Sequence, residues 1–472
     1  MNVLFAVSEA APFVKTGGLA DVAGSLPAAL KLAGTDTRVI LPLYSAIKDE
    51  YRSKMEFLFY TYVDLGWRHQ YCGLFSLEHE GVTFYFIDSE YYFKRDKIYG
   101  CMDDGERFAF FSKAIVTVLP LLNFRPDLIN CNDWQTALVP IYLNLEPAGF
   151  YRGIKTVYTI HNIEYQGSFS FHTADDVFGL PKNLYEEGLL RYDDGVNLMK
   201  GAIYFADYVT TVSPNYAEEL RYPFYAHGLH EVISQNSHKL TGIINGLDTC
   251  RYNPETDKAL PCNFSAGDTS GKAECKRQLC AMLSFDEDDG SPIIACVSRL
   301  VEHKGFDLVA HVLDDIIAKG ARLAILGTGD QSFEDFFRSA GDRYPRRVSA
   351  NIMYSEKMAS LMYAGADMLL MPSKSEPCGL SQLIAMRYGT VPIVRSAGGL
   401  RDTVIPYPAE GSNGFRFDNY DAYDMLGTIG YALEIYEDKP QWQLLMKGCM
   451  TQELGWERSA KRYVEVYSSL FD

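Results

Sequence analysis

The sequence has no CxxC pair and no cysteine-histidine cluster at zinc-ligand spacing; its ten cysteines are scattered. This excludes a disulfide-stapled secreted module and a zinc module, and reads as reduced thiols in a cytoplasmic protein. Long apolar runs are also missing. The N-terminal run Val3 to Val7 has five residues, too short for a signal h-region or a membrane span, so secretion, organelle import and membrane insertion are not expected. Positive charge is in deficit, with 44 Lys and Arg against 61 Asp and Glu and a formal net charge of -17. A nucleic-acid or anionic-membrane partner requires a broad basic face, so neither is expected. The absence of a GxxxxGK[ST] loop argues against a P-loop nucleotidase, and the absence of a GxSxG elbow against a serine hydrolase.

What is present is ample core. At 472 residues and 47% hydrophobic content the chain supports two or three domains. Its 32 tyrosines suit sugar faces, cores and interfaces alike. Short apolar runs alternate with helical patterns throughout, the rhythm of parallel sheets covered on both faces. In the first half the runs are Val3 to Val7, Thr37 to Leu41, Leu128 to Cys131, Thr156 to Ile160 and Val209 to Val212, with helices at Leu19 to Leu32, Arg107 to Leu122 and Val196 to Phe205. Cys72 to Leu77 and Val82 to Ile87 flank His79-Glu80-Gly81 as a hairpin on the sheet edge. A second series starts near Gly242-Ile243-Ile244 and continues through Ile293 to Val297, Leu323 to Leu326, Ala350 to Met353, Met368 to Met371 and Val391 to Val394. The expected organisation is therefore α/β, with doubly wound domains at 1–242 and 243–455 and a terminal helix near 456–472. Ligands of such sheets bind beyond the carboxyl ends of the strands.

Two glycine pairs sit at such ends. Lys15-Thr16-Gly17-Gly18 follows the first strand, and Gly398-Gly399 follows Val391 to Val394. Bare backbone at a helix start can face an anion, although a glycine pair can equally just turn the chain. Arg299 and Lys304 follow Val297 at another helix start. Two cations there are either solvated side chains or the counter-charge of a diphosphate. Gly327-Thr328-Gly329 resembles half of a dinucleotide fingerprint, but it lies deep in the second domain with serine in place of the third glycine, which disfavours an oxidoreductase.

Other polar residues mark the same strand ends. His161-Asn162 closes Thr156 to Ile160, where a histidine can donate to a sugar hydroxyl. Asp133 closes Leu128 to Cys131, where it orients a hydroxyl or caps the turn at Trp134. Glu376 precedes the turn Cys378-Gly379-Leu380; repelled by a diphosphate, it should face sugar hydroxyls, or else stabilise a helix start. Asp286-Glu287-Asp288 has the form of a metal-binding DxD but reads as a solvated loop, so no metal is expected.

In order along the chain, Lys15 to Val22, His161-Asn162, Asn245 to Asp248, Ser298-Arg299-Leu300 with Lys304-Gly305, Gly327 to Asp330, Ser375 to Leu383 and Gly398 to Val404 resemble the bacterial glycogen synthase and plant starch synthase family. The resemblance implies a GT-B fold, two Rossmann-like doubly wound domains facing a central cleft, and no cofactor or metal. It implies a retaining hexosyltransferase that moves glucose from ADP-glucose to the 4-hydroxyl at the non-reducing end of an α-1,4-glucan such as glycogen or a maltooligosaccharide. A UDP-glucose-dependent relative and a non-catalytic glucan-binding protein are the alternatives. Carried over by residue, Arg299 and Lys304 stabilise the departing ADP. Lys15 with Gly17 and Gly18 meets the diphosphate or donor glucose, and Asp21 lines the same cleft. Glu376 with Cys378, Gly379 and Leu380 holds glucose and phosphate, Tyr354 stacks on adenine, and His161, Asn162, Asp133 and Asn245 complete the sugar site. The chain departs from the family pattern at Met353, Ser381 and Ile384.

Overall fold

A computed structural model describes residues 1–286 and 290–472. The chain divides into two compact units, Met1–Gly246 together with Trp456–Asp472, and Leu247–Gly455. In the first, β1 (Asn2–Ala6), β2 (Asp36–Pro42), β3 (Glu56–Leu65), β4 (Arg68–His79), β5 (Val82–Asp88), β6 (Leu128–Asn132) and β7 (Lys155–Ile160) come before a small antiparallel sheet of β8 (Ser168–Ser170), β9 (Arg191–Tyr192) and β10 (Gly195–Asn197). The strands β11 (Tyr208–Thr211) and β12 (Leu240–Gly242) then return to the main sheet, whose order is β12-β11-β7-β6-β1-β2-β5-β4-β3. Val3, Leu4 and Ala6 are fully buried because β1 has parallel neighbours on both edges, β2 and β6. Only a continuous apolar run tolerates that position.

Three expectations change here. The hairpin is real, turning through Glu80 and Gly81 at φ 49° and 77°, the positive-φ pair that matches strand twist. It is extended, however, by β3, whose exposed aromatics hid it from a reading keyed to buried runs. The segment at Gly242 closes the first sheet beside β11 and does not open the second series. Val196 pairs in β10, and the helix begins only at Leu198, capped by the Asn197 side chain. The terminal helix Glu457–Ser468 lies on helix Gly18–Leu32, and the Tyr467 hydroxyl donates to Asn130 Oδ1 at 2.7 Å.

The second unit is a parallel sheet of β13 (Ile293–Val297), β14 (Arg322–Leu326), β15 (Val348–Asn351), β16 (Met368–Met371), β17 (Val391–Arg395) and β18 (Phe415–Phe417), in the order β15-β14-β13-β16-β17-β18. The short β18 was not anticipated, and β15 begins two residues before the expected run. The chain winds outward from β13 through β14 and β15, then returns to β16 beside β13. The first unit does the same at β1 and β6. At such reversals the loops after the two central strands diverge and leave a crevice at the carboxyl ends. Among the described residues no helix is long and apolar enough to cross a membrane.

Candidate functional site

In the second unit the loop after β13 is tied down from two sides. Ser298 N donates to Leu326 O, and Leu300 N to Thr328 O. Gly327 and Gly329 allow this contact, since a Cβ on either would stand 1.8 Å from Ser298 O or 2.1 Å from Leu300 O. The Gly-Thr-Gly sequence therefore exists to seat the Arg299 loop. Glu302–Lys304 forms one 3-10 turn that ends at Gly305, φ 78°, whose missing Cβ clears Pro372 O; Lys374 N closes the junction on His303 O at 2.9 Å. The result places Lys304 Nζ 2.6 Å from Glu376 Oε2, which also accepts from Ser373 Oγ at 3.0 Å. Both partners are mostly buried, at 17% and 8% side-chain exposure, so each is committed to the other. Arg299 is exposed and has no charged partner among the described residues.

Two expectations are corrected at this turn. Glu376 was expected to face sugar hydroxyls with its whole carboxylate, yet Oε2 holds Lys304 and only Oε1 is left for a ligand. It also lies five residues before helix Ser381–Arg387, so it does not serve as a helix-start charge. The second glycine pair does not bare its backbone. Gly399 N donates to Glu376 O and Pro377 O, and at Gly398, φ 43°, a Cβ would stand 1.9 Å from Glu376 O. This pair packs against the Glu376 turn and sets its shape. Gln382 Nε2 braces the same turn by donating to Cys378 O and Gly379 O at 3.0 Å each, with Gly379 at φ 76° and Leu380 following it. Tyr354 stands at the end of β15, two strands from β13, 78% exposed, with its hydroxyl donating to Glu356 Oε1. Ile384, one of the departures from the family pattern, is a core residue at 5% exposure.

In the first unit the loop after β1 folds around Glu9. This buried carboxylate, 3% exposed, accepts from Thr16 N at 2.6 Å and Thr16 Oγ1 at 2.7 Å. Burial raises its pKa, partly offset by the Thr16 and Gly17 hydrogen bonds. Lys15 Nζ meets Asp21 Oδ1 at 2.7 Å. Gly17 is extended, at φ -151°, and a Cβ on Gly18 would meet nothing within 4 Å. Neither glycine is required by the loop for want of room for a side chain.

Across the sheet, Asp133 adopts φ 55° at the end of β6. Its carboxylate does not cap the Trp134 turn but accepts from His161 N at 2.8 Å and Asn162 N at 3.5 Å, joining the ends of β6 and β7. Burial pushes its carboxyl up to about 7, against the pull of those hydrogen bonds. Burial likewise lowers His161 to about 3, so the ring is neutral at working pH. Asn132 Nδ2 donates to Ala6 O and Asn130 O, which leaves Asn132 Oδ1 to accept from His161 Nε2 at 2.8 Å. The ring therefore presents Nδ1 as an acceptor, where a donor was expected. Asn245 Oδ1 is buried with no hydrogen-bond partner among the described residues.

The likeness to known proteins accords with this geometry. The model of the starch synthase catalytic domain matches residues 2–235, and that of the glycosyl transferases group 1 matches residues 283–443. The glycogen synthase of Alkaliphilus metalliredigens is 46% identical over 474 residues, covering 100% of both chains. That of Lachnospira eligens is 48% identical over 99% of this chain and 100% of its own. This chain belongs to the glycogen synthase family. It shares its fold with the catalytic domain of starch synthase IV from Arabidopsis thaliana, solved with ADP and acarbose, at 33% identity, TM-score 0.92 and 99% coverage of each chain. Sucrose-phosphate synthase from Thermosynechococcus elongatus, 18% identical with TM-score 0.63 over 100% and 99% of the two chains, shares the fold alone.

The α/β architecture is thus GT-B, built of two Rossmann-like units, and this member of the glycogen synthase family is a glycosyltransferase. Sequence reading missed Glu9 and Ser373 and gave Asn132 no role; Glu9 seats Thr16, Ser373 holds the Glu376 carboxylate and Asn132 holds the neutral His161 ring. The signal for Glu9 was an acidic residue three positions after the end of a buried strand. For metals, Glu287 and Asp288 lie outside the described residues. Cys101, Asp103 and Asp104 gather their ligand atoms within 4.8 Å, but Arg95 and Arg107 already neutralise the two carboxylates.

Proposed function

We propose that the protein lengthens an α-1,4-glucan such as glycogen or a maltooligosaccharide, moving glucose from ADP-glucose to the 4-hydroxyl at the non-reducing end with retention and without a metal ion. One observation carries the reading: the Lys304–Glu376 pair, with Arg299 on the same loop after β13, at the chain reversal of the second sheet. As the anomeric C–O bond breaks, negative charge grows on the diphosphate, and cations already held in place meet it without reorganising. Lys304 is held in this way by Glu376, and Arg299 has no charged partner among the described residues. ADP in the solved starch synthase relative supports adenosine diphosphate as the leaving group.

The second unit takes the nucleotide sugar in this reading. Tyr354 stacks on adenine, and the Cys378-Gly379-Leu380 turn with Glu376 Oε1 holds phosphate and glucose. The first unit takes the acceptor side, where Asp133, His161, Asn162 and Asn245 meet sugar hydroxyls and Lys15, Gly17, Gly18 and Asp21 meet the donor. The 4-hydroxyl oxygen bonds to the anomeric carbon on the face the diphosphate leaves, and the departing phosphate oxygen takes the hydroxyl proton. Ten free cysteines suit a reducing cytoplasm.

The test is incubation with ADP-glucose and glycogen in the presence of a chelator, following ADP release and the anomer of the new linkage. ADP release and an α-linkage are expected. No ADP release overturns the reading, loss of turnover on chelation overturns the metal-free part, and faster turnover of UDP-glucose overturns the donor.

A further inference from the structure

Strand β3 ends the first unit's main sheet, and no described strand pairs with its outer edge. It is ten residues long, and its only charges are Glu56 and Asp64 at its two ends; it has no lysine and no proline. Soluble proteins as a rule shorten, bulge or charge such an edge, because open N–H and C=O groups pair with any strand that reaches them. Here the register irregularity lies between Phe57 and Phe59, so Phe59 to Val63 runs on as a regular, uncharged open edge. The solvent-facing side beside it is aromatic. Tyr60 and Tyr62 are 60% and 48% exposed; Tyr60 stacks on Tyr71 at 5.9 Å and Tyr62 on His69 at 4.7 Å. Exposed apolar surface beside an open edge marks a contact surface.

We propose that β3 pairs antiparallel with β3 of a second copy of this chain, so that two nine-stranded sheets become one across a two-fold axis. The edge is complementary to itself. Antiparallel pairing about an axis normal to the sheet sets outward N–H groups against outward C=O groups, and solvent face meets solvent face when the paired residue numbers share parity. A register centred on Thr61 places Tyr60 against Tyr62 of the second copy and Phe59 against Val63, with Asp64 against Leu58. Centring on Tyr60 instead opposes Glu56 and Asp64, two carboxylates that repel. The net charge of -17 per chain resists self-association elsewhere on the surface, so added salt strengthens this contact.

Sedimentation of the full chain at micromolar concentration is expected to give twice the 53.1 kDa chain mass. Tyr60→Lys with Tyr62→Lys sets like charges opposite each other at two places and weakens association by at least about 100-fold. Tyr60→Lys with Tyr62→Glu sets opposite charges at the same two places and restores the dimer. Both residues are exposed, so the circular dichroism of the variants at 25 °C stays that of the wild type and reports folding separately from association. A monomeric wild type, a dimer that survives the double lysine variant, or failure of the charge-swapped pair to restore association overturns the proposal. So does a monomer retained on immobilised glycogen and released by the double lysine variant, which makes the face a polysaccharide surface.

Discussion

Lys304 and Glu376, 72 residues apart in sequence, meet at 2.6 Å because β13 and β16 are neighbours in the sheet. Removing the lysine alone strands a buried carboxylate. Lys304→Ala is expected to cost about 3 kcal/mol of stability and to lower kcat by about 100-fold or more through the lost transition-state charge. Adding Glu376→Gln returns most of the stability and none of the turnover. Arg299→Ala, at an exposed site, shifts stability by under about 0.5 kcal/mol yet lowers kcat comparably. Melting curves and ADP release on the four proteins check this; near-normal turnover in both single variants removes Arg299 and Lys304 from the chemistry.

Asp133 gives the protein a pH dependence of stability. With its folded pKa near 7, above the ordinary 3.8, the folded chain keeps a proton that the unfolded chain releases between about pH 4 and 7, and stability falls as pH rises through that window. Asp133→Asn still offers an oxygen to His161 N but cannot ionise. Its Tm should match the wild type near pH 4 and exceed it by a few degrees at pH 8. Parallel melts across that range decide the matter, and curves that keep a constant offset count against it.

Glu9 acts on the Lys15 loop as a positioning residue. Glu9→Ala leaves Thr16 N and Gly17 N without their acceptor, at a cost of about 1–3 kcal/mol. The KM for the sugar donor should rise about tenfold with kcat nearly unchanged, since loop placement and not charge is lost. Glu9→Gln, which keeps one acceptor oxygen, should fall between the two. Steady-state kinetics with varied donor measures it, and an effect on kcat alone contradicts the positioning role.

The two glycine pairs should respond in opposite ways. Gly18→Ala meets open space, so its Tm stays within about 2 °C of the wild type while donor affinity drops. Gly398→Ala combines a positive φ with a contact at 1.9 Å and should destabilise the second unit by more than about 2 kcal/mol. Melting curves with donor titrations distinguish the two, and equal stability loss in both variants refutes the contrast.

Much of the fold was legible in the chain itself. Strands buried on both faces must be continuous apolar runs, so β1, β6, β7, β13 and β16 stood out, and lysines, arginines and glycines follow them at their carboxyl ends. The exposed edge strand β3 escaped because its aromatics face solvent and follow no core pattern. Which charge meets which was beyond sequence spacing. Lys304 with Glu376 and Asp133 with the His161 backbone depend on strand order, which brings residues distant in sequence together only once the sheets exist. The same holds for the second glycine pair, whose tight fit against Glu376 is a property of packed backbone and leaves no mark in local sequence.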